Sequence, residues 1–412
     1  MTADSRLAQE GGKPVHPGPW PRWPQVSSAD EDAVLAVLRA GTWCSAARGA
    51  AEVRAFEREF AERHRPPQGP DLGCVAVSSG TAALILALQA AGIGPGDEVI
   101  VPPYTFIATA SACLQVGAVP IFADLDPATL CLDPHATAEV WSDRTRAVIP
   151  VHFAGCPADP PAFASLCQSR GAVLIEDACQ APGAAWLGQP VGSFGLFGCF
   201  SFQESKNLSA GEGGAVTGRG EPLERVWSLH NAGRTRAGAW YGHARIGQNL
   251  RLTALQTALL RSQLQRFPAQ AARRAEAASH LTAELARIPG ITPLRPPAAV
   301  TAHAWHLFAF DHDPEAFGGR DRAAFLAALR AEGVPASAGY TLLAENSAVT
   351  DQAAANATRA GMPVRATDPT DLPVARQAAK RCCWLHQAVL LADPADISAI
   401  PEAIRKLQRA WN

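Results

Sequence analysis

Between about Val75 and Thr217 the chain alternates short β-rich runs with longer stretches of helical spacing. No other feature constrains the fold as much. The runs include Cys74–Val77, Glu98–Val101, Val119–Ala123, Ala147–Val151, Val173–Ile175 and Gly214–Thr217. Between them, Thr81–Ala91, Thr105–Gln115 and Pro161–Arg170 place apolar residues at helical intervals. Strands joined by helix-length connections pair in parallel, because a parallel crossover needs a dozen or more residues. Ala172-Val-Leu-Ile175 is apolar on both faces, as a strand covered by helices on both sides requires. The spacing predicts an α/β fold with a mostly parallel central sheet flanked by helices. From about Leu250 the pattern turns helical through Arg274, and the Pro-rich stretch from Pro289 to Pro297 precedes a second αβ segment. The expected organisation is an N-terminal arm (1–26), a large domain (27–265) and a smaller C-terminal α+β domain (266–412).

Composition removes several classes of function. The 36 Lys+Arg against 38 Asp+Glu leave a net charge of -2, with no basic footprint for nucleic acid. No apolar run reaches the roughly 18 residues of a membrane span. Met1 to Pro24 holds no continuous apolar region of the kind a secretory signal needs. The 10 cysteines form no C-x-x-C, and the vicinal Cys382-Cys383 is badly placed for an ordinary disulfide. A reduced, cytoplasmic protein that binds neither nucleic acid nor membrane is expected. Only Lys13, Lys206, Lys380 and Lys406 are lysines. Chemistry that needs an amine therefore has four candidates.

Four features converge on one of them. Ser78-Ser-Gly80-Thr81 ends a strand and opens a helix, where free N–H groups and the dipole suit a phosphate. Taken alone it reads more readily as an N-cap without a ligand. Asp177 follows an apolar strand directly, at the sheet edge where α/β proteins bind ligands, and could hold a cationic ring nitrogen. Lys206 lies in Phe200-Ser-Phe-Gln-Glu-Ser-Lys206 among apolar and small residues that would lower its pKa. An amine of that kind is a Schiff-base candidate. Lys13 lies in the tail, and Lys380 and Lys406 are expected on solvent faces. Gly211-Glu-Gly-Gly214 implies a backbone of positive φ or close approach. A phosphate cradle, an acid for a ring nitrogen and an amine for an aldehyde are the parts pyridoxal phosphate needs.

These residues, with Gly92-Ile-Gly-Pro-Gly-Asp-Glu-Val-Ile-Val-Pro102, Tyr104-Thr-Phe-Ile-Ala-Thr-Ala110 and Gly247-Gln-Asn249-Leu-Arg251, resemble the DegT/DnrJ/EryC1/StrS family of pyridoxal-phosphate-dependent sugar and cyclitol aminotransferases. The resemblance runs from about Pro24 onward. Trp20-Pro-Arg-Trp23-Pro, Gly41-Thr-Trp43 and Trp384-Leu-His386 are similar to its 3-amino-5-hydroxybenzoate synthase and scyllo-inosose aminotransferase branch. The resemblance implies the fold-type I transferase architecture and a homodimer with shared active sites. It implies that Lys206 is the cofactor-linking lysine and Asp177 the partner of the pyridine nitrogen. Gly80, Thr81 and Ser201 would hold the phosphate, Phe106 would stack on the ring, and Asn249 would reach the phosphate of the neighbouring subunit. Gln180 stands where the family often has histidine and would contact the phenolic oxygen, without a histidine's titration. Arg251 and Tyr340 are implied substrate residues, with a structural Arg at the dimer interface as the alternative for Arg251. Trp43 and His152 are candidate pocket residues whose alternative is plain packing.

The implied reaction is ping-pong transamination from L-glutamine or L-glutamate to a cyclic ketone in secondary metabolism. Sugar dehydratases of the family carry histidine in place of the lysine, whereas this chain keeps Lys206. A non-catalytic, cofactor-binding regulator is the other alternative. No H-E-x-x-H, G-x-S-x-G, Walker loop or G-x-G-x-x-G is present, and His152 with Cys156 is too sparse for a metal site.

Overall fold

The computed structural model describes residues 6–45, 50–236, 239 and 241–412. In chain order its strands begin with β1 (Gly73–Val77), β2 (Glu98–Val101), β3 (Val119–Phe122), β4 (Thr145–Val148) and β5 (Val173–Asp177). A hairpin of β6 (Ala185–Trp186) and β7 (Gln189–Pro190) precedes β8 (Phe197–Ser201) and β9 (Gly214–Gly218). Seven strands form the central sheet in the order β1-β9-β8-β5-β4-β2-β3. From β8 to β3 all neighbours are parallel, while β9 runs antiparallel to both β1 and β8. The mostly parallel sheet of the sequence reading is present. One strand, β8, had no counterpart in that reading.

Helices cover both faces. The helix Gly80–Ala90 is buried on most of its surface, with Leu84, Leu86 and Leu88 inaccessible to solvent. Burying each such side chain is worth about 1.5–3 kcal/mol. Its N-cap is Ser79, whose hydroxyl accepts from the Ala82 N–H at 3.0 Å. The helix expected from Thr105 begins instead at Ala108, which leaves Thr105, Phe106 and Ile107 as a loop at the sheet edge.

The later strands are β10 (Ile291–Pro293), β11 (Val300–Ala302), β12 (Leu307–His312), β13 (Ala336–Ala338) and β14 (Cys382–His386). Four of them form an antiparallel sheet in the order β10-β12-β14-β13, and β11 joins the β6–β7 hairpin. The helix Ala254–Leu285 spans the expected division at 265/266 without a break. Its first half packs Leu260, Leu264 and Phe267 into the core beneath β8 and β9, whereas Ala278, Leu281 and Leu285 join the core of the four-stranded sheet. The chain passes between cores inside one helix.

The N-terminal arm is stitched to the second core. Ala8 and Val15 N–H groups donate to Glu332, and Leu7 is buried in the same cluster. Lys406, expected on a solvent face, is buried and pairs with Glu332 at 2.8 Å. That expectation is corrected: the acid lies 74 residues away in sequence, so nothing local announced the pair. No described helix is long and apolar enough to cross a membrane.

Candidate active site

The site lies at the C-terminal edge of the parallel strands, where α/β sheets open to ligands. Asp177 is the last residue of β5 and Ser201 the last of β8. The Asp177 backbone is locked by its N–H to Pro150 O and by His152 N–H to its carbonyl, both 3.0 Å. Its carboxylate accepts the Thr109 hydroxyl at 2.8 Å and the Cys179 N–H at 3.2 Å. The side chain is therefore aimed, although it is 4 % exposed. Around it lies a cavity of about 500 Å³ whose walls include Gly80, Thr81, Phe106, Asp177, Gln180, Ser201, Lys206 and Tyr340.

Lys206 sits on a tight turn after β8. Its own N–H donates to Gln203 O at 2.8 Å, and Ser205 donates through both N–H and hydroxyl to Gln203 Oε1. Burial drives the Lys206 amine below the usual lysine range, opposed in part by Cys179 and the Asp177 carboxylate. Burial thus favours the neutral amine, the form that reacts.

The first turn of the helix Gly80–Ala90 faces Ser201. A Cβ at Gly80 would come within 2.8 Å of Ser201 Cβ and 2.9 Å of Cys179 Sγ. Only glycine leaves this wall open. Gly213, with φ +150, and Gly214, whose Cβ would meet Ser79 O at 2.4 Å, let the loop after Lys206 close against the same helix start. The helix start with its free N–H groups, the adjacent hydroxyls, the aimed carboxylate and the buried amine fit pyridoxal phosphate. Phe106, 57 % exposed, is an unusually open aromatic at the mouth, as a ring meant to cover a ligand would be.

Gln180 and Tyr340 close the far side. The Ala154 N–H, presented from a left-handed backbone of φ +57, donates to Gln180 Oε1 at 2.8 Å. A backbone N–H is a donor only, so the amide orientation is settled and Nε2 faces Tyr340 OH at 3.5 Å. Burial, and then the Asp177 carboxylate, push the Tyr340 phenol up to about 12. It is a neutral hydroxyl in use.

Other candidates are not brought into this cavity by the same chain. His152 is fully buried; its Nδ1 accepts the Ala158 N–H at 3.0 Å, so Nε2 carries the proton and donates to Glu176 at 3.2 Å. Both nitrogens are spent on partners within the chain, as the packing alternative for His152 has it. Glu176 in turn accepts three N–H groups of Gly192, Phe194 and Gly195, a structural role. Trp43 is half exposed, donates to Leu38 O at 3.2 Å, and does not line the cavity. Arg251 donates to Asn231 Oδ1 at 2.9 Å and borders a separate depression with His230 and Arg54. Asn249 is exposed beside it, bridged to Asn231. Within one chain, neither Trp43 nor Arg251 reaches the cavity.

Sequence reasoning passed over Thr109 and His306. Thr109 stood in a quoted motif without a role. His306 lines the cavity; its Nδ1 faces Asn207 Oδ1 at 3.1 Å, and Asn207 Nδ2 donates to Ala304 O at 2.6 Å. The Asn207 oxygen must accept, so His306 donates from Nδ1 and its Nε2 carries a lone pair. Burial, and then the Lys206 charge, hold His306 well below the usual histidine range. Its adjacency to Asn207, next to Lys206, had no local signal in the sequence.

Residues 24–405 match the profile described as the DegT/DnrJ/EryC1/StrS aminotransferase family. The chain is 37% identical over 419 residues to an L-glutamine:2-deoxy-scyllo-inosose aminotransferase of Streptomyces kanamyceticus, covering 98% of this chain and 97% of that one. It is 36% identical to a 3-amino-5-hydroxybenzoate synthase of Amycolatopsis mediterranei (strain S699), over 93% and 96% of the two chains. The crystal structure of a 3-amino-5-hydroxybenzoic acid synthase superimposes with a TM-score of 0.85 at 34% identity, covering 95% of this chain and 99% of that one.

Proposed function

The chain belongs to the DegT/DnrJ/EryC1/StrS family of pyridoxal-phosphate-dependent aminotransferases, and from that premise we propose that it moves an amino group from L-glutamine or L-glutamate to a small cyclic ketone. The observation that carries the reading is the convergence of Lys206, Asp177 and the Gly80 helix start on one cavity. When bound, the cofactor offers an aldehyde to amines and a protonated ring that draws electrons from the attached carbon.

The chain's own residues supply the rest. Gly80 and Thr81 N–H groups with the Thr81 and Ser201 hydroxyls hold the phosphate, completed by Asn249 of the partner subunit in a homodimer. Phe106 covers the ring. Asp177, aimed by Thr109 and the Cys179 N–H, keeps the ring nitrogen protonated. Gln180 donates from Nε2 to the phenolic oxygen, because the Ala154 N–H already occupies its own oxygen. Lys206 would take the proton from the donor's α-carbon and deliver it to the cofactor's C4′, two bonds away across the nitrogen, work suited to an amine of lowered pKa.

One cavity serves both halves of the exchange, so donor and acceptor enter in turn and the kinetics are ping-pong. Arg251 of the partner subunit would supply a fork for the donor carboxylate. Among the described residues lining the cavity, Lys206 is the sole cation and no arginine is present. An uncharged ring, of the kind named for the Streptomyces relative, suits such walls better than a nucleotide-linked sugar. The test is to convert the cofactor to its amine form with L-glutamine and then add cyclic ketones. Return of the original visible band with a cyclitol ketone supports the reading. A return only with nucleotide-linked keto-sugars contradicts this acceptor class.

A further inference from the structure

The turn that carries Lys206 leaves two carbonyls outside its internal hydrogen bonds, and both are claimed by distant segments. The Trp23 indole N–H of the arm donates to Glu204 O at 2.8 Å. His386 at the end of β14 faces Ser205 O from Nε2 at 2.9 Å, and a carbonyl only accepts, so His386 donates. Gln387 Nε2 points at the same carbonyl at 3.5 Å.

Behind these contacts stands Arg274, in the middle of the helix Ala254–Leu285. Its side chain is wholly buried, and no carboxylate lies within ion-pair distance among the described residues. It gives Nε and Nη2 to Gln387 Oε1 at 2.9 and 2.6 Å, and its guanidinium lies 5.3 Å from the centre of the Trp23 ring. Arginine only donates, so the Gln387 oxygen must face it and the amide nitrogen must face Ser205. Packing alone would be met better by an apolar side chain, because a buried cation without an anion is costly. What a guanidinium does here, and an alkyl chain cannot, is orient Gln387 and seat Trp23 at once.

We infer that Arg274 is a positioning residue for Lys206, acting through Gln387 and Trp23 on the Ser205 and Glu204 carbonyls. The inference rests on Lys206 being the reacting amine. It links the N-terminal arm and the C-terminal sheet to one turn of the central sheet. The Lys206 side chain then meets the cofactor aldehyde with its backbone held from both sides.

The test compares full-length, cofactor-loaded Arg274→Met and Trp23→Phe with the parent enzyme. Amide hydrogen exchange over residues 203–208 is expected to rise about tenfold in both, with strands β1 to β5 unchanged. In the donor half-reaction kcat falls about tenfold and KM stays within about twofold, because alignment and not donor binding is lost. Trp23→Phe removes one exposed contact, so it remains informative should Arg274→Met fail to fold. Unchanged exchange and rate in Trp23→Phe, or exchange rising through the whole chain, would overturn the inference. Lys206→Ala separates the two levels. If it leaves the half-reaction intact, the proposed function fails; if it abolishes turnover while Trp23→Phe changes nothing, only the positioning role fails.

Discussion

Thr109 donates its hydroxyl to Asp177 Oδ2 at 2.8 Å, so a helix that follows β2 aims a carboxylate that ends β5. The contact joins two crossovers of the sheet at the one point where the ring nitrogen must be met. A hydrogen bond to a charged group is worth about 1.5–3 kcal/mol. Thr109→Val keeps the shape and removes the donor. The donor half-reaction is expected to slow about tenfold or more with the fold intact. Single-turnover kinetics measure it, and an unchanged rate would show that Asp177 needs no such support.

Gly80 is the narrowest point of the phosphate cradle. In Gly80→Ala the new methyl must share space with Ser201 Cβ at 2.8 Å and Cys179 Sγ at 2.9 Å. Cofactor affinity should drop at least about tenfold, an energy of about 1.4 kcal/mol. Titration of the cofactor-free enzyme by fluorescence reads this, and wild-type affinity in the variant would move the cradle elsewhere.

Glu332 is buried, accepts from Ala8 and Val15 of the arm, and pairs with buried Lys406. Lys406→Met strands that carboxylate. Breaking a buried pair from one side costs about 3–5 kcal/mol. Urea unfolding should report a loss of that order, with arm residues exchanging fastest. A loss below about 1 kcal/mol would place the pair among surface bridges.

Acid should destabilise the protein at pH values above the usual carboxylate range. Burial lowers His64 and His230 to about 4 and His303 to about 3. Unfolded, each takes a proton near pH 6.5; folded, each stays neutral until those lower values. The unfolded state thus binds more protons below about pH 6.5, and stability falls there by about 1.4 kcal/mol per pH unit per group. Glu57, raised by burial to about 7, has the opposite sign, since the folded state keeps its proton, and over this range it offsets between one and two of the three histidines. Urea midpoints at pH 7.5 and 5.5 check the sum. The midpoint is expected to be lower at pH 5.5, and an equal or higher value would contradict these buried neutral rings.

The sheet was legible where strands were apolar on both faces, as in Val173-Leu-Ile. The strand β8 was not, because Phe197-Gly-Cys-Phe-Ser reads as readily as the loop leading to Lys206. Lys206, Asp177 and Gly80 were legible because each sits at a strand–turn or turn–helix junction that leaves a local signature. His152 shows the limit of that signature, since a motif fixes the residue and not the direction its ring faces. His306, Arg274 and the Lys406–Glu332 pair act across 74 to 113 residues of chain. Only folding brings them to their partners.

The central claim is that the amine of Lys206 does the chemistry, and one comparison tests it most directly. Parent enzyme and Lys206→Ala, both incubated with pyridoxal phosphate, are mixed with L-glutamine and followed by absorbance and by keto acid released per active site. The account predicts a donor-sensitive visible band and about one keto acid per site in the parent, and neither in Lys206→Ala. A band and a keto acid yield in Lys206→Ala equal to those of the parent would contradict it.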